Sequence, residues 1–240
     1  MTPLHKGRYV LHTGAGADDL AQARALRALC FGTPMPDGDR FDAASRHMLI
    51  RDADTGALVC CFRLRLLNGA TLHDSYAAQF YDLGRLAAFD GPMLELGRFC
   101  IHPDWQDPDI LRLAWAGMTR IVDRDGVMLM FGCSSFAGTQ AAVHRDAFGV
   151  LHARHLAPAR WRPGVHAAET VPLGTLGSTP PDQKKAQSGM PPLLRTYLLM
   201  GGWVSDHAVI DRDLGTLHVF TGLEIGAIPE NRKRLLRALV

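Results

Sequence analysis

Apolar residues recur along this chain in two rhythms. Largely apolar runs at residues 93–101 and 127–131 have the length and content of strands buried in the middle of a sheet. Segments at 8–11, 45–51, 58–67, 203–210 and 216–223 also read as strands, and Asp52-Ala-Asp-Thr-Gly56 reads as a hairpin turn between the second and third of these. Helical spacing appears at 18–31, where Leu20, Arg24, Arg27 and Phe31 form one stripe beside an apolar face of Ala23, Leu26 and Cys30. Asp107-Pro108 supplies a cap and a first-turn proline for a helix to about residue 124, with Ile110, Ala114, Met118 and Ile121 on its buried side. Further helices are predicted over 139–155 and 193–200, with a short helical stretch near 76–83 and a basic C-terminal one from Glu230. Residues 157–192 shift to Pro, Gly, Ser and Lys without periodicity and read as a long loop or insertion. The order of elements predicts a mixed α/β sheet with helices on both faces.

Composition narrows the picture only a little. A chain of 240 residues suits one domain, or one domain with an insertion, and a formal net charge of +2 speaks against bulk nucleic-acid binding. No signal-peptide pattern and no 18-residue apolar span is present, so a cytoplasmic protein that does not cross a membrane is expected. The five cysteines (Cys30, Cys60, Cys61, Cys100 and Cys133) are odd in number and apolar in setting, and suit reduced, buried thiols. No metal site is expected: no Cys-x-x-Cys occurs, and His144, His152 and His155 lack a convincing further ligand. Gly14-Ala-Gly16 has the look of a dinucleotide fingerprint, but Asp19 stands at the third glycine position and Asp18 beside it would repel a pyrophosphate, which leaves a turn and a helix cap.

The most informative chemistry lies inside the run at 93–101. Glu95 and Arg98 sit within an otherwise apolar strand, where charges are costly unless paired or used. A regular pleat would send them to opposite faces, whereas a bulge at Gly97 would bring them to one side. There Glu95 could take a proton from an amine, or the two could form a structural ion pair. Arg24 and Arg27 border a buried helix face, as arginines reading a carboxylate would, although solvated arginines are the more common outcome. Asp39-Arg-Phe-Asp42 offers two carboxylates for a cationic amine, or a solvated loop. Cys133, Ser134 and Ser135 follow a strand end without an evident acid–histidine partner for nucleophilic catalysis. His102 and Tyr197 read as structural residues.

Three stretches carry a family resemblance: Leu94-Glu-Leu-Gly-Arg-Phe-Cys-Ile-His-Pro103, Phe131-Gly-Cys-Ser-Ser-Phe-Ala-Gly-Thr139, and Leu193-Leu-Arg-Thr-Tyr-Leu-Leu-Met-Gly201 with Asp211 and Gly215-Thr216 beyond. With the element order, they resemble the GNAT N-acyltransferase fold and, within it, the L-ornithine N-acyltransferases of bacterial ornithine-lipid synthesis. The acyl-homoserine-lactone synthases are more distantly similar, sharing an Arg…Phe helix (Arg24 or Arg27, Phe31), Asp39 and Asp42, a strand arginine (Arg63) and Glu95…Arg98. The resemblance implies a single GNAT-type domain over 1–240 with a bulged fourth strand. It implies transfer of a 3-hydroxyacyl group from acyl carrier protein to the α-amino group of L-ornithine, giving a lyso-ornithine lipid. Glu95 and Arg98 would be catalytic. Arg24, Arg27, Phe31, Asp39, Asp42 and Arg63 would bind substrate, and Gly97, Phe99, Phe131, Cys133 and Ser134 would line the pantetheine and acyl cleft. Backbone amides near residues 97–99 would hold the oxyanion, and Phe62, Phe99, Phe131 and Trp115 would flank the acyl chain. No cofactor is implied beyond the phosphopantetheine that the carrier protein brings, and peripheral contact with the inner membrane stays open.

The residues add an argument about the donor. Acetyl-CoA-using members of the fold cradle the pyrophosphate on a glycine-rich turn and helix start after the fourth strand. Here that stretch is Asp104-Trp-Gln-Asp-Pro-Asp109, with three acids, a proline and no glycine, which makes a poor anion nest. A carrier protein presents no nucleotide there. An acyl-homoserine-lactone-synthase-like enzyme and a non-catalytic module binding carrier protein or lipid are the alternatives.

Overall fold

A computed structural model describes residues 2–35, 37–176 and 180–238. In chain order the strands and helices are β1 (Leu4–Lys6), β2 (Tyr9–Thr13), α1 (Ala17–Phe31), β3 (Arg46–Asp52), β4 (Leu58–Leu67), β5 (Tyr81–Asp82), β6 (Met93–Ile101) and α2 (Pro108–Asp125). Then follow β7 (Leu129–Ala137), α3 (Arg145–Arg154), β8 (Gly164–Val165), β9 (Thr170–Pro172), α4 (Gln183–Gly189), α5 (Pro192–Leu199), β10 (Trp203–Asp211), β11 (Thr216–Glu224) and α6 (Glu230–Arg237). The fold is mixed α/β, as the order of apolar runs predicts. The described residues fall into two units, one from Met1–Leu66, Leu94–Val127 and Glu230–Val240, the other from Leu67–Met93 and Met128–Pro229.

In the first unit the strands run in the order β1-β2-β3-β4-β6, and the first four are antiparallel neighbours. Leu49 of β3 and Cys61 of β4 pack with Ala23 and Leu26 of α1. On the opposite face Leu11 of β2 lies so close to α2 that a Cβ at Gly117 would stand 2.2 Å from its side chain. Each face therefore carries a helix. The ends of α2 are fixed locally: the Asp107 carboxylate accepts from the Asp109 N–H at 2.9 Å, Pro108 opens the first turn, and Gly126 closes the helix at φ 62°. Gly16, ahead of Asp18 and Asp19, opens α1.

In the second unit β7, β11, β10 and β9 form an antiparallel series. One side packs under the segment that holds β5, burying Tyr81, Phe131, Trp203 and Phe220. The other side buries Phe136, Leu217 and Val219 against Phe148 and Leu151 of α3, Ala186 of α4 and Leu194 of α5. A bulge interrupts β10 between Val204 and Ala208.

Three expectations change. The strand predicted to end at Phe131 continues as β7 to Ala137, with Gly132-Cys-Ser-Ser135 paired to β11 at Val219, Phe220 and their neighbours; tertiary pairing overrides a local turn signal. The helix predicted from 139 begins at Arg145, behind a short 3-10 turn at Ala141–His144. The loop predicted over 157–192 contains β8, β9 and α4, each too short to carry a hydrophobic period. All five cysteines are unbridged; Cys60, Cys61 and Cys100 are buried, while Cys30 and Cys133 are half-buried.

Candidate active site

The first unit gathers its charged residues on the α1 side of the sheet. Cys61 and Arg63 are two apart on β4 and share that face. Cys100 of β6 also lies there, with its sulfur 3.4 Å from that of Cys61, and Arg98, two residues earlier, reaches the ring of Phe31 on α1 at 5.7 Å. Yet Gly97 faces the same way, since a Cβ on it would stand 3.4 Å from Arg63 Nε. Adjacent residues on one face mean that the pleat slips between Gly97 and Arg98. Arg98 carries the slip at φ 52°, the one positive φ outside glycine among the described residues. Glu95, two residues before Gly97, consequently falls on the same side, buried at 5% exposure. The strain thus sits on Arg98, while the bare Cα of Gly97 makes room for Arg63.

Around this strand three aspartates and four arginines interlock. Arg27 grips Asp42 through two nitrogens, at 2.7 and 3.0 Å, while Arg24 Nε reaches the same carboxylate at 3.0 Å and Arg63 at 2.9 Å. Asp39 receives Arg63 at 2.5 Å and Arg98 at 3.2 Å. Asp37 accepts from Arg27 Nε at 3.3 Å, and its carbonyl accepts from the same guanidinium. Phe41 lies under Arg63 at 5.5 Å. Burial by itself would push the Asp42 carboxyl up; hydrogen bonds from Arg27, Arg24 and Arg63 outweigh it and hold the group well below the usual range. Asp39 is lowered in the same way, burial being overcome by Arg63 and Arg98. Burial holds His47 low, although its ring meets the Asp42 carbonyl.

The expected substrate-binding set of Arg24, Arg27, Phe31, Asp39, Asp42 and Arg63 is therefore brought together with Glu95 and Arg98. One refinement concerns Asp42: with three guanidinium partners and 2% exposure it has no lone pair facing outward, so its part is to hold the arginines. Asp37 and Phe41 were missed by sequence reading; Asp37 stands two residues before Asp39 in the same acidic loop, and that proximity was the available signal.

The remaining expected residues are divided between the two units. In the first unit Phe99 stacks on Phe62 at 5.5 Å, and Trp115 is buried on α2. In the second, Phe131 stacks on Phe220 at 5.7 Å, Cys133 stands opposite Phe220, and Ser134 is buried, accepting a hydrogen bond from Thr221 at 2.8 Å. Tyr197 is buried, which pushes its phenol up. His102 is tied to the backbone, its N–H donating to the Val59 carbonyl at 2.8 Å.

The chain is similar to known proteins in sequence and in fold. Residues 30–116 match the Acetyltransferase (GNAT) domain family. The L-ornithine N(α)-acyltransferase of Rhodobacter capsulatus is 30% identical over 82% of this chain and 78% of its own length; that of Brucella abortus is 33% identical over 80% and 71%. The chain belongs to the L-ornithine N(α)-acyltransferase family. It is accordingly a GNAT acyltransferase. The structure of FeeM, an N-acyl amino acid synthase from uncultured soil microbes, superposes with a TM-score of 0.54 over 92% of this chain and 94% of FeeM, at 8% identity, and shares the fold. Among the described residues of this family member no helix is long and apolar enough to cross a membrane.

Proposed function

We propose that the protein transfers a 3-hydroxy fatty acyl group from acyl carrier protein to the α-amino group of L-ornithine, giving a lyso-ornithine lipid. The observation that carries this reading is the buried Glu95 on the slipped strand, set on one face with Arg63 and Arg98 in a family of ornithine acyltransferases. Only a neutral amine attacks a thioester, so the ammonium must first lose a proton, and Glu95 receives it directly or through one water. The amine nitrogen then bonds to the thioester carbon. Backbone N–H groups over residues 97–99 stabilise the oxyanion, and the tetrahedral adduct collapses by breaking the C–S bond. The nitrogen loses a second proton as the amide forms, the phosphopantetheine thiolate leaves and takes up one of the two protons, and the other passes to solvent.

Four arginines stand against three aspartates and Glu95, and a guanidinium at the edge of this set can turn to the ornithine carboxylate. Arg24, one-third exposed and bonded to Asp42 through Nε, is the guanidinium best placed to reach it, and Asp39 is the carboxylate for the side-chain ammonium. The α2 start supports a carrier-protein donor, since its first amides are occupied by Asp107 and Asp109 stands beside them. In this reading the enzyme holds no cofactor of its own and works in the cytoplasm, with any membrane contact peripheral.

The test is mass spectrometry of the product formed by purified protein from 3-hydroxyacyl-carrier protein, with ornithine or S-adenosylmethionine as acceptor. N-acylornithine is expected. An acyl-homoserine lactone, or no acyl transfer to ornithine, overturns the reading.

A further inference from the structure

Three of the cysteines meet inside the first unit, at a place the transfer chemistry does not use. Cys61 of β4 and Cys100 of the adjacent β6 are buried, with their sulfurs 3.4 Å apart. Cys30, in the last turn of α1, packs against the same cluster and reaches the β6 backbone, its thiol donating to the Ile101 carbonyl at 3.4 Å. Cys61 is also tied to the helix, its thiol donating to the Ala23 carbonyl at 3.6 Å. Cys100 therefore has one thiol neighbour on the helix and another on the next strand.

A buried thiol with no reachable partner is simply a small apolar residue, and Cys60 is one: burial pushes it well above the ordinary thiol range. Cys30 differs in two respects. It is half-buried, so it is the member of the trio that solvent reaches. A hydrogen bond with the Cys100 thiol also outweighs burial and holds Cys30 below the ordinary range, while the same bond, with Cys61 and burial, pushes Cys100 up. A partly exposed thiol beside a buried one that can attack it is the arrangement of an oxidisable cysteine and its resolving partner. Among the described residues no group of three His, Cys, Asp or Glu side chains is arranged to hold a metal ion, so shared metal ligation does not account for the trio.

We propose that Cys30 and Cys100 form a hydroperoxide-sensitive dithiol whose oxidation ties α1 to β6 and slows acyl transfer. The Cys30 thiolate attacks hydrogen peroxide: an S–O bond forms, the O–O bond breaks, and hydroxide leaves and takes up a proton as water. Cys100 then attacks the sulfur of the resulting sulfenic acid. An S–S bond forms, the S–O bond breaks, and the hydroxyl leaves as water with the Cys100 proton. The dithiol is oxidised by two electrons, and the peroxide is reduced to water. The bridge joins the two elements that carry the acceptor set. Cys30 adjoins Phe31 on the helix that offers Arg24 and Arg27, and Cys100 lies two residues from Arg98, which meets the Phe31 ring at 5.7 Å on the strand of Glu95. Fastening them shifts groups whose mutual placement the reaction depends on. That consequence rests on the function proposed above; the dithiol itself does not.

The test treats the full chain with hydrogen peroxide, blocks remaining thiols by alkylation and maps the peptides by mass spectrometry without reduction. A Cys30–Cys100 bridge is expected, and dithiothreitol should remove it. Acyl transfer by the oxidised protein should fall about 10-fold or more and return with the reductant. Cys30→Ser should keep the activity of the reduced wild type and lose both the bridge and most of the inhibition. A bridge from Cys100 to Cys61, or Cys30 and Cys100 both recovered alkylated after peroxide, overturns the proposal. So does a Cys30–Cys100 bridge that leaves acyl transfer unchanged. A second measurement needs no variant: dimedone added with the peroxide should trap a sulfenic acid on Cys30 of the wild type and prevent the bridge. An adduct on Cys100 in place of Cys30, or a bridge that forms undiminished, overturns the order of steps and with it the assignment. Trap and map need no turnover, so they judge the dithiol even if ornithine proves not to be the acceptor; the loss of activity is then read with the amine that is.

Discussion

Asp42 and Glu95 are both buried carboxylates of the first unit, and the proposed reaction gives them different work. Asp42 holds Arg24, Arg27 and Arg63. Removing it strands buried Arg27, so Asp42→Ala should lower stability by about 3–5 kcal/mol in chemical denaturation. Its lowered pKa fixes the sign of the pH effect: the stabilisation is fully present above the ordinary carboxylate pKa of 3.8 and is lost as pH falls below it. Asp39, more exposed and shared between Arg63 and Arg98, should respond differently. Asp39→Asn should raise the KM for ornithine more than that for the donor when each substrate is titrated against saturating partner. Glu95→Gln preserves shape and removes the base; acyl transfer should drop about 10²–10⁴-fold with the melting temperature little changed. Near wild-type turnover in a folded Glu95→Gln protein would reduce Glu95 to a structural acid.

At the scale of elements, strand positions explain both the successes and the failures of pattern reading. β6 was legible because its run is otherwise apolar and its charges stand out. β7 was misjudged beyond Phe131 because Gly132-Cys-Ser-Ser135 has turn chemistry, and only the β11 partner makes it a strand. In β11 the glycine at 222 is required by packing: a Cβ there would stand 2.4 Å from the Trp203 indole. Gly222→Ala should destabilise the second unit by about 1–3 kcal/mol, read from thermal unfolding. His218 adds a pH signature to the same strand. Burial, with His207 close by, puts its folded pKa at about 4, below the ordinary 6.5, so its contribution is full above pH 6.5 and is lost as pH falls towards 4, flattening below. The melting temperature of His218→Phe should fall less than that of the wild type between pH 7 and 4.5.

At the scale of the whole molecule the prediction concerns the donor. Carrier proteins are acidic, and cations are available on each unit: exposed Arg112, Arg232 and Arg234 with half-buried Arg120 on the first, exposed Lys184 and Lys185 on the second. Some are already paired, as Arg112 is with Asp109 at 2.8 Å, and contribute less. Steered docking weakens with salt, so kcat/KM for the acyl-carrier protein should fall several-fold between about 0.05 and 0.5 M NaCl. A flat salt profile, or equal kcat/KM with acyl-CoA, would count against the carrier-protein donor.

Sequence by itself determined whatever depends on neighbours in the chain. Hydrophobic period placed the long strands and helices, Asp107-Pro108 marked the start of α2, and the acid–base pair in an otherwise apolar run singled out β6. Tertiary structure decided what depends on register and on distant partners. The slip at Arg98 follows from packing against Arg63 and Phe31, and the local pattern equally allowed the strain to fall on Gly97. The loop aspartates were visible as donors of negative charge, but their capture by four arginines from two helical turns and two strands was not. The hydrogen bond between Tyr81 and His218, 137 residues apart, gave no sequence signal at all. A histidine in an alternating strand looks the same whether its nitrogens are satisfied or bare; only the fold, by setting which atoms meet and which water can reach, distinguishes the two.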